Sequence, residues 1–251
     1  MIGSFDRRYP KNGIHGRVVH EVGRAIVNGR FKEGERLPKE DFFIDRYNGS
    51  RTAIREAFRV LTAKGLLEAK QRAGTSVRKR KYWNIWDPDV LCWQRVESLT
   101  KGHAEQLMQV RQFAEPEAAR LHAMKPNELG GVRYLEKACQ MIHRAWEEGN
   151  IDKSYEAELA FHTFLLETCG NEYIARMRDA VRLSISHCQY KQYRSVEARR
   201  GPSRWYAYVV ERIKEHDGDA AYSGAKTLIG TYIDAARRER DFLGSKPNAV
   251  A

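Results

Sequence analysis

No stretch of the 251-residue chain is apolar for the roughly 20 residues that a membrane-spanning helix needs. The N-terminal MIGSFDRRYPKNG is basic but has no apolar segment, so it does not read as a signal peptide. Cysteine is scarce. Cys92, Cys139, Cys169 and Cys188 lie far apart with no CxxC pair, which leaves reduced, buried thiols as the expectation. No nucleophile motif, phosphate-cradling glycine loop or full metal-ligand set is present, so no catalytic residue, metal or cofactor is assigned. These absences describe a globular, cytoplasmic protein with no membrane-spanning segment.

What the chain does have is segregated charge. Its formal net charge is +11. Residues 1–81 hold 20 Lys/Arg against 9 Asp/Glu, whereas residues 82–251 hold 24 of each. A solvated surface spreads its charge. A basic first third joined to a neutral remainder points to a polyanion-binding domain, for nucleic acid or a membrane surface, attached to a domain with another task.

Apolar residues at 14, 18, 22 and 26 predict a helix over 14–28. Lys39 to Tyr47, after Pro38, reads as a second helix. Asn48-Gly49 marks a turn, and Ser50 is a suitable N-cap for a third helix from Arg51 to about Lys64. LLEAK and TSVRK then form a hairpin with Gly74 near its tip. Three helices and a two-stranded hairpin outline a winged helix-turn-helix over 1–81. The aromatic-rich YWNIWDPDVLCWQRVES (82–98) starts a second, all-helical domain over 82–245. Its helices are expected at 88–97, 103–123, 127–148, 152–169, 171–195, 203–216 and 218–242, with Pro116 kinking the second or splitting it near Glu115 and Gly201-Pro202 preceding the sixth. Scarce β-branched alternation makes this domain an antiparallel helical bundle.

On the third helix Arg51, Arg55 and Arg59 recur every four residues, opposite Ile54, Phe58 and Leu61. If the helix enters a major groove, Arg51, Thr52 and Arg55 face the bases and phosphates, because an arginine fork pairs with guanine O6 and N7 or clamps a phosphate. Ser50 and the free N–H groups of the first turn favour a phosphate oxygen. Arg72, Gly74 and Thr75 at the hairpin tip, with Lys39, complete the expected DNA contacts. The bland reading, a solvated amphipathic helix, does not account for the charge segregation, the cap and the hairpin together.

These residues also resemble a known family. GRFKEGERLPKEDFFIDRYNGSRTAIREAFRVLTAKGLLEAKQRAGTSV is similar to the GntR-type winged helix, with its LPxE start, S-R-x-x-[VI]-R-E-A recognition helix and G-T-x-V wing. Many members carry arginine directly after the LPxE glutamate. Here that residue is Asp41, whose carboxylate repels phosphate and bears on operator preference. VRQFAEPEAARLHA (110–123), EAELAFHTFLLETCGN (156–171) and DGDAAYSGAKTLI (217–229) resemble the effector-binding FCD domain of the FadR branch. WNIWDPDVLCW and HDGDAA are most similar to repressors of galactonate operons.

Glu158 and His162, at i and i+4, face one way and form a geometry able to offer two metal ligands. The resemblance implies a metal held by an Asp and three His, yet the Asp is Glu158, one His position is Tyr206, and no histidine follows His216. His162 is therefore expected as a pocket or core histidine and no metal as bound. Arg111 shares a stripe with Leu107, Ala114 and Ala118, which points it into the bundle. Either Glu115 neutralises it in a structural pair or it awaits a carboxylate ligand, and the resemblance implies the second. Arg111, Glu158, His162 and Tyr206 are the candidate ligand-binding residues.

Three functions remain open at this stage. One is a ligand-responsive transcription regulator, a repressor, binding a pseudo-palindromic operator in double-stranded DNA as a homodimer under control of a small carboxylate such as an aldonate. The second is a metal-assisted enzyme using Glu158 and His162. The third is a constitutive architectural DNA-binding protein.

Overall fold

Residues 8–70, 74–125, 129–192 and 197–244 are described by the computed structural model, which separates into two units, 1–99 and 100–251. The first unit contains α1 (Gly13–Val27), α2 (Glu40–Tyr47), α3 (Arg51–Ala63), β1 (Leu67–Lys70), β2 (Gly74–Val77) and α4 (Pro88–Trp93). The second is mainly helical: α5 (Lys101–Ala123), α6 (Leu129–Glu147), α7 (Ile151–Glu167), α8 (Glu172–Ala175), α9 (Arg178–Gln192), α10 (Glu197–Lys214) and α11 (Gly218–Gly244). No helix among the described residues is long and apolar enough to cross a membrane.

The four-residue apolar spacing of α1 buries Val18, Val22 and Ile26 in the same cluster as Ile54, Phe58 and Leu61 of α3. Asn48 turns the chain with a left-handed backbone (φ 49°). Ser50 then caps α3, its Oγ accepting from Ala53 N at 3.1 Å. β1 and β2 are antiparallel, with Leu67 opposite Val77 and Lys70 opposite Gly74. The stretch before α2 holds β2 from the other side. Leu37 N donates to the Thr75 carbonyl, Val77 N to that of Glu35, and Gly34 N to that of Val77. This is the winged helix-turn-helix.

The sequence placed 82–98 in the second domain, but this segment packs with the first unit. Trp83, Val90 and Trp93 are buried in the first unit's core. Gly23 makes this possible, because a Cβ there would collide with the Trp93 ring. Trp93 Nε1 donates to His20 Nδ1 at 2.9 Å, so the His20 proton sits on Nε2 and goes to the Tyr9 carbonyl at 2.8 Å. Lys64 Nζ bridges Asp87 at 2.9 Å and the buried Asp89 at 2.6 Å. The Asp89 carboxylate also accepts from Tyr9 N at 3.0 Å. The boundary accordingly falls at 99/100 rather than 81/82. α4 stops at Trp93, short of the expected 97, because Asn28 takes over the backbone. Its Nδ2 donates to the Trp93 carbonyl and its Oδ1 accepts from Arg95 N.

The bundle departs from expectation in three places. α5 is not split near Glu115 but continues through the buried Pro116. The lost backbone bond and ring clash, worth roughly 3 kcal/mol, are offset because α5 packs against α7, α9, α10 and α11. α10 likewise runs through Gly201-Pro202, where proline removes one bond within the first two turns. The helix expected over 171–195 is instead two. Asn171 caps the single turn of α8 through Tyr173 N and Ile174 N, and α9 starts afresh at Arg178. Of the thiols expected to be buried, Cys169 is, Cys139 is half-buried and Cys92 is exposed. The side chain of Cys188 lies outside the described residues.

Candidate functional site

The exposed face of α3 carries Arg51, Thr52, Arg55 and Arg59. The cap on Ser50 fixes where the helix begins, and the buried face fixes its rotation, so the arginines point outward by necessity. None of the three stands alone. Arg51 Nη2 pairs with Asp41 at 2.7 Å, Arg55 Nε with Glu40 at 2.9 Å, and Arg59 with Glu56 at 2.9 Å. Lys39 is exposed at the N-cap of α2. Gly74 is exposed with φ 81°, and the Thr75 carbonyl is committed to Leu37. Arg72 lies outside the described residues.

The second cluster lies inside the bundle. Arg111, Glu115, Ser154, Glu158, His162, Tyr206 and Tyr232 are each at most 5% exposed. α5 supplies the ion pair, since Arg111 and Glu115 are one turn apart and Arg111 Nε donates to Glu115 Oε1 at 2.6 Å. α7 supplies Glu158 and His162, again one turn apart. His162 Nδ1 lies 2.5 Å from Glu115 Oε2, and Nε2 lies 3.3 Å from Arg111 Nη2 and 2.9 Å from Tyr206 Oη. A guanidinium only donates, so Nε2 accepts and the Nδ1 proton goes to Glu115. Tyr232 Oη donates to Glu158 Oε2 at 2.7 Å and lies 2.5 Å from Tyr206 Oη. Ser154 Oγ donates to Glu158 Oε1 at 3.3 Å.

Burial alone raises a carboxyl pKa, but Arg111 and then His162 overcome it and hold Glu115 down at about 2. Burial, then Glu158 and Tyr206, push the Tyr232 hydroxyl well above its usual range, so it keeps its proton. The structure thus brings Arg111, Glu158, His162 and Tyr206 together, with Glu115 as the direct partner of Arg111. Tyr232 and Ser154 escaped the sequence reading. The signal for Tyr232 was the stripe Ala221, Ala225, Leu228, Ile229 and Tyr232, all buried, which carries its hydroxyl inward one turn past Leu228.

These donors do not fit the metal that the resemblance raises. Tyrosine hydroxyls from α10 and α11 stand beside Glu158 and His162, bonded to each other and to Glu158. The imidazole nitrogen that would face a metal instead faces the Arg111 guanidinium. A second cation there is repelled.

α5 buries a further titratable group. Burial lowers the His122 pKa from 6.5 to about 4. Thr168 Oγ1 gives its proton to the Phe164 carbonyl at 2.6 Å and lies 3.1 Å from His122 Nε2. Between these pKa values the unfolded chain binds more protons than the folded one, so stability falls as pH falls from about 6.5 and the loss is complete below about 4. The expected loss is at most about 3 kcal/mol. His122→Gln should flatten that decline, and urea titrations showing the same pH slope for both proteins would refute the assignment. Glu115 acts separately, since its stabilisation is lost only below its unfolded pKa, toward 2.

Comparison with known proteins decides the family. Residues 15–77 match the bacterial regulatory proteins of the gntR family, and residues 106–231 match the FCD domain. The chain belongs to the gntR family, with an FCD domain. It is a transcriptional regulator, as the curated relatives are, and not an enzyme. The galactonate operon transcriptional repressor of Escherichia coli (strain K12) is 27% identical over 217 residues, 86% of this chain and 93% of the relative. The Glc operon transcriptional activator of the same strain is 24% identical over 221 residues, 84% of this chain and 85% of the relative. Among solved structures, the fold is shared with one titled for Lar, which controls expression of the Listeria monocytogenes agr system (TM-score 0.58, 19% identity, 91% of this chain and 99% of that one). It is shared also with E. coli McbR/YncC (TM-score 0.51, 14% identity, 91% and 99%). α3 and the β1–β2 hairpin both lie within the residues matched to the gntR family.

Proposed function

We propose that this regulator is a cytoplasmic repressor that binds a pseudo-palindromic operator as a homodimer, and that a small carboxylate, a sugar acid such as an aldonate, controls that binding from the polar centre of the bundle. The observation that carries the reading is the capped α3, its three arginines outward and its apolar face locked in the core. Two such helices, one from each protomer, reach successive major grooves about one helical turn apart. The likeness to a galactonate operon repressor supports both the repression and the class of effector. Arg111 is the residue suited to a carboxylate, because its fork makes a bidentate, charge-assisted pair. Glu115 holds that fork in the present arrangement, so a ligand carboxylate binds by taking the place of an internal one. Its effect on DNA equals its difference in affinity between the two arrangements.

The test begins with duplexes enriched from a random-sequence library by the wild-type protein. Arg51→Ala and Arg55→Ala are each expected to weaken binding to them by about 1–3 kcal/mol without changing fold or dimerisation. Gel-shift titrations giving wild-type affinity for both variants would sink the assignment of α3. Adding aldonates to the same titration tests the effector, whose expected result is a change in operator affinity.

A further inference from the structure

The first turn of α2 places two carboxylates against the recognition helix. Asp41 reaches Arg51 across ten residues of sequence at 2.7 Å, and Glu40 reaches Arg55 across fifteen at 2.9 and 3.2 Å. Neither is the ordinary one-turn pair of a solvated helix, which α3 also has in Glu56 and Arg59. Both come from a second helix whose position is fixed by the buried Phe43 and Tyr47. The Arg51–Asp41 pair is open to water, its side chains 58% and 66% exposed.

We propose that Asp41, seconded by Glu40, is a specificity-determining positioning residue that holds the recognition arginines off the phosphate backbone and yields them chiefly to matching base edges. The proposal rests on the DNA-binding reading above. An exposed ion pair shifts an equilibrium by roughly fivefold at most, whereas a bidentate arginine–guanine contact discriminates by roughly 5- to 150-fold. A correct base therefore wins the fork from the carboxylate. A phosphate takes the fork too, but every sequence offers it alike, so that gain never singles out the operator. Non-specific binding is almost wholly electrostatic and follows the number of phosphates neutralised. Two carboxylates beside Arg51 and Arg55 subtract charge from every encounter, while the base hydrogen bonds are added back only at the operator. Asp41 thus lowers affinity for random sequence more than for the operator, and the ratio between them widens.

The experiment compares a library-enriched duplex with a shuffled duplex of the same composition, by fluorescence anisotropy over a range of salt concentrations. Asp41→Asn is expected to tighten the shuffled duplex by about 3- to 10-fold and to steepen its log–log salt dependence by about one unit. The enriched duplex should change less, so the specificity ratio narrows severalfold. Asp41→Glu, which keeps the charge, should preserve the wild-type ratio, and Glu40→Gln should act as Asp41→Asn does. An unchanged shuffled-duplex affinity and salt slope in Asp41→Asn, or equal tightening of both duplexes, overturns the proposal. The parallel Arg51→Ala titration separates the failures. If it alters neither duplex, α3 does not contact DNA and the whole reading falls. If it weakens the enriched duplex while Asp41→Asn changes nothing, only the positioning role is lost.

Discussion

Arg111→Met is expected to destabilise the second unit by about 3–5 kcal/mol, because removing one partner leaves the other charge buried and unmatched. Both side chains of the pair are 1% exposed. With the guanidinium gone, the Glu115 carboxylate keeps only the His162 proton, and it cannot turn to water. A second substitution distinguishes this from a simple packing loss. Glu115→Gln on the same chain removes the stranded charge and still accepts from His162, so the double variant should recover most of the loss. Urea titrations giving additive effects, or a single-variant loss under about 1 kcal/mol, would show that the pair is not the electrostatic centre of the bundle. If a sugar acid raises the wild-type melting temperature by mass action, the double variant should lose that rise and keep operator binding.

Lys64→Met is expected to cost the first unit a comparable amount, about 3–5 kcal/mol. Lys64 sits at the C-cap of α3 and is the cation for both Asp87 and Asp89. Asp89 is fully buried. Without the ammonium its carboxylate retains only the Tyr9 N–H bonds. Asp87 suffers less, because it also caps α4 through Asp89 N and Val90 N. The companion Lys64→Met/Asp89→Asn variant removes the unmatched charge and should be markedly more stable than Lys64→Met alone. Equal stability of the two in a denaturant titration would contradict this account.

The first unit was legible because its signals are local and agree with one another. Ser50, Asn48-Gly49 and the Ile54, Phe58, Leu61 stripe each name the same helix. The Asp41 and Glu40 bridges were not legible, since pairs separated by ten and fifteen residues depend on the angle between α2 and α3. The assignment of 82–98 failed for a similar reason. Gly23, seventy residues upstream, admits the Trp93 ring, and no periodicity reports that. In the bundle, the helical stripe placed Arg111 inward and the i, i+4 spacing set Glu158 beside His162, whereas Tyr206 was reached only through the family resemblance. Pro116 and Pro202 were overstated, because helix packing outweighs a lost backbone bond. Tyr232 was missed because metal ligation was sought at the spacing of histidines, and a phenol one turn further on answers to a different chemistry.

The row from His162 through Tyr206 and Tyr232 to Glu158 has three links but only two hydroxyl hydrogens to fill them. With the Tyr232 hydrogen given to Glu158 and His162 Nε2 accepting, the Tyr206 hydrogen has two places to go along the row. Turned to the imidazole it leaves the Tyr206–Tyr232 contact empty, and turned to Tyr232 it leaves the imidazole to Arg111. One link is always empty, and the turning of a single hydroxyl decides which, with no helix displaced.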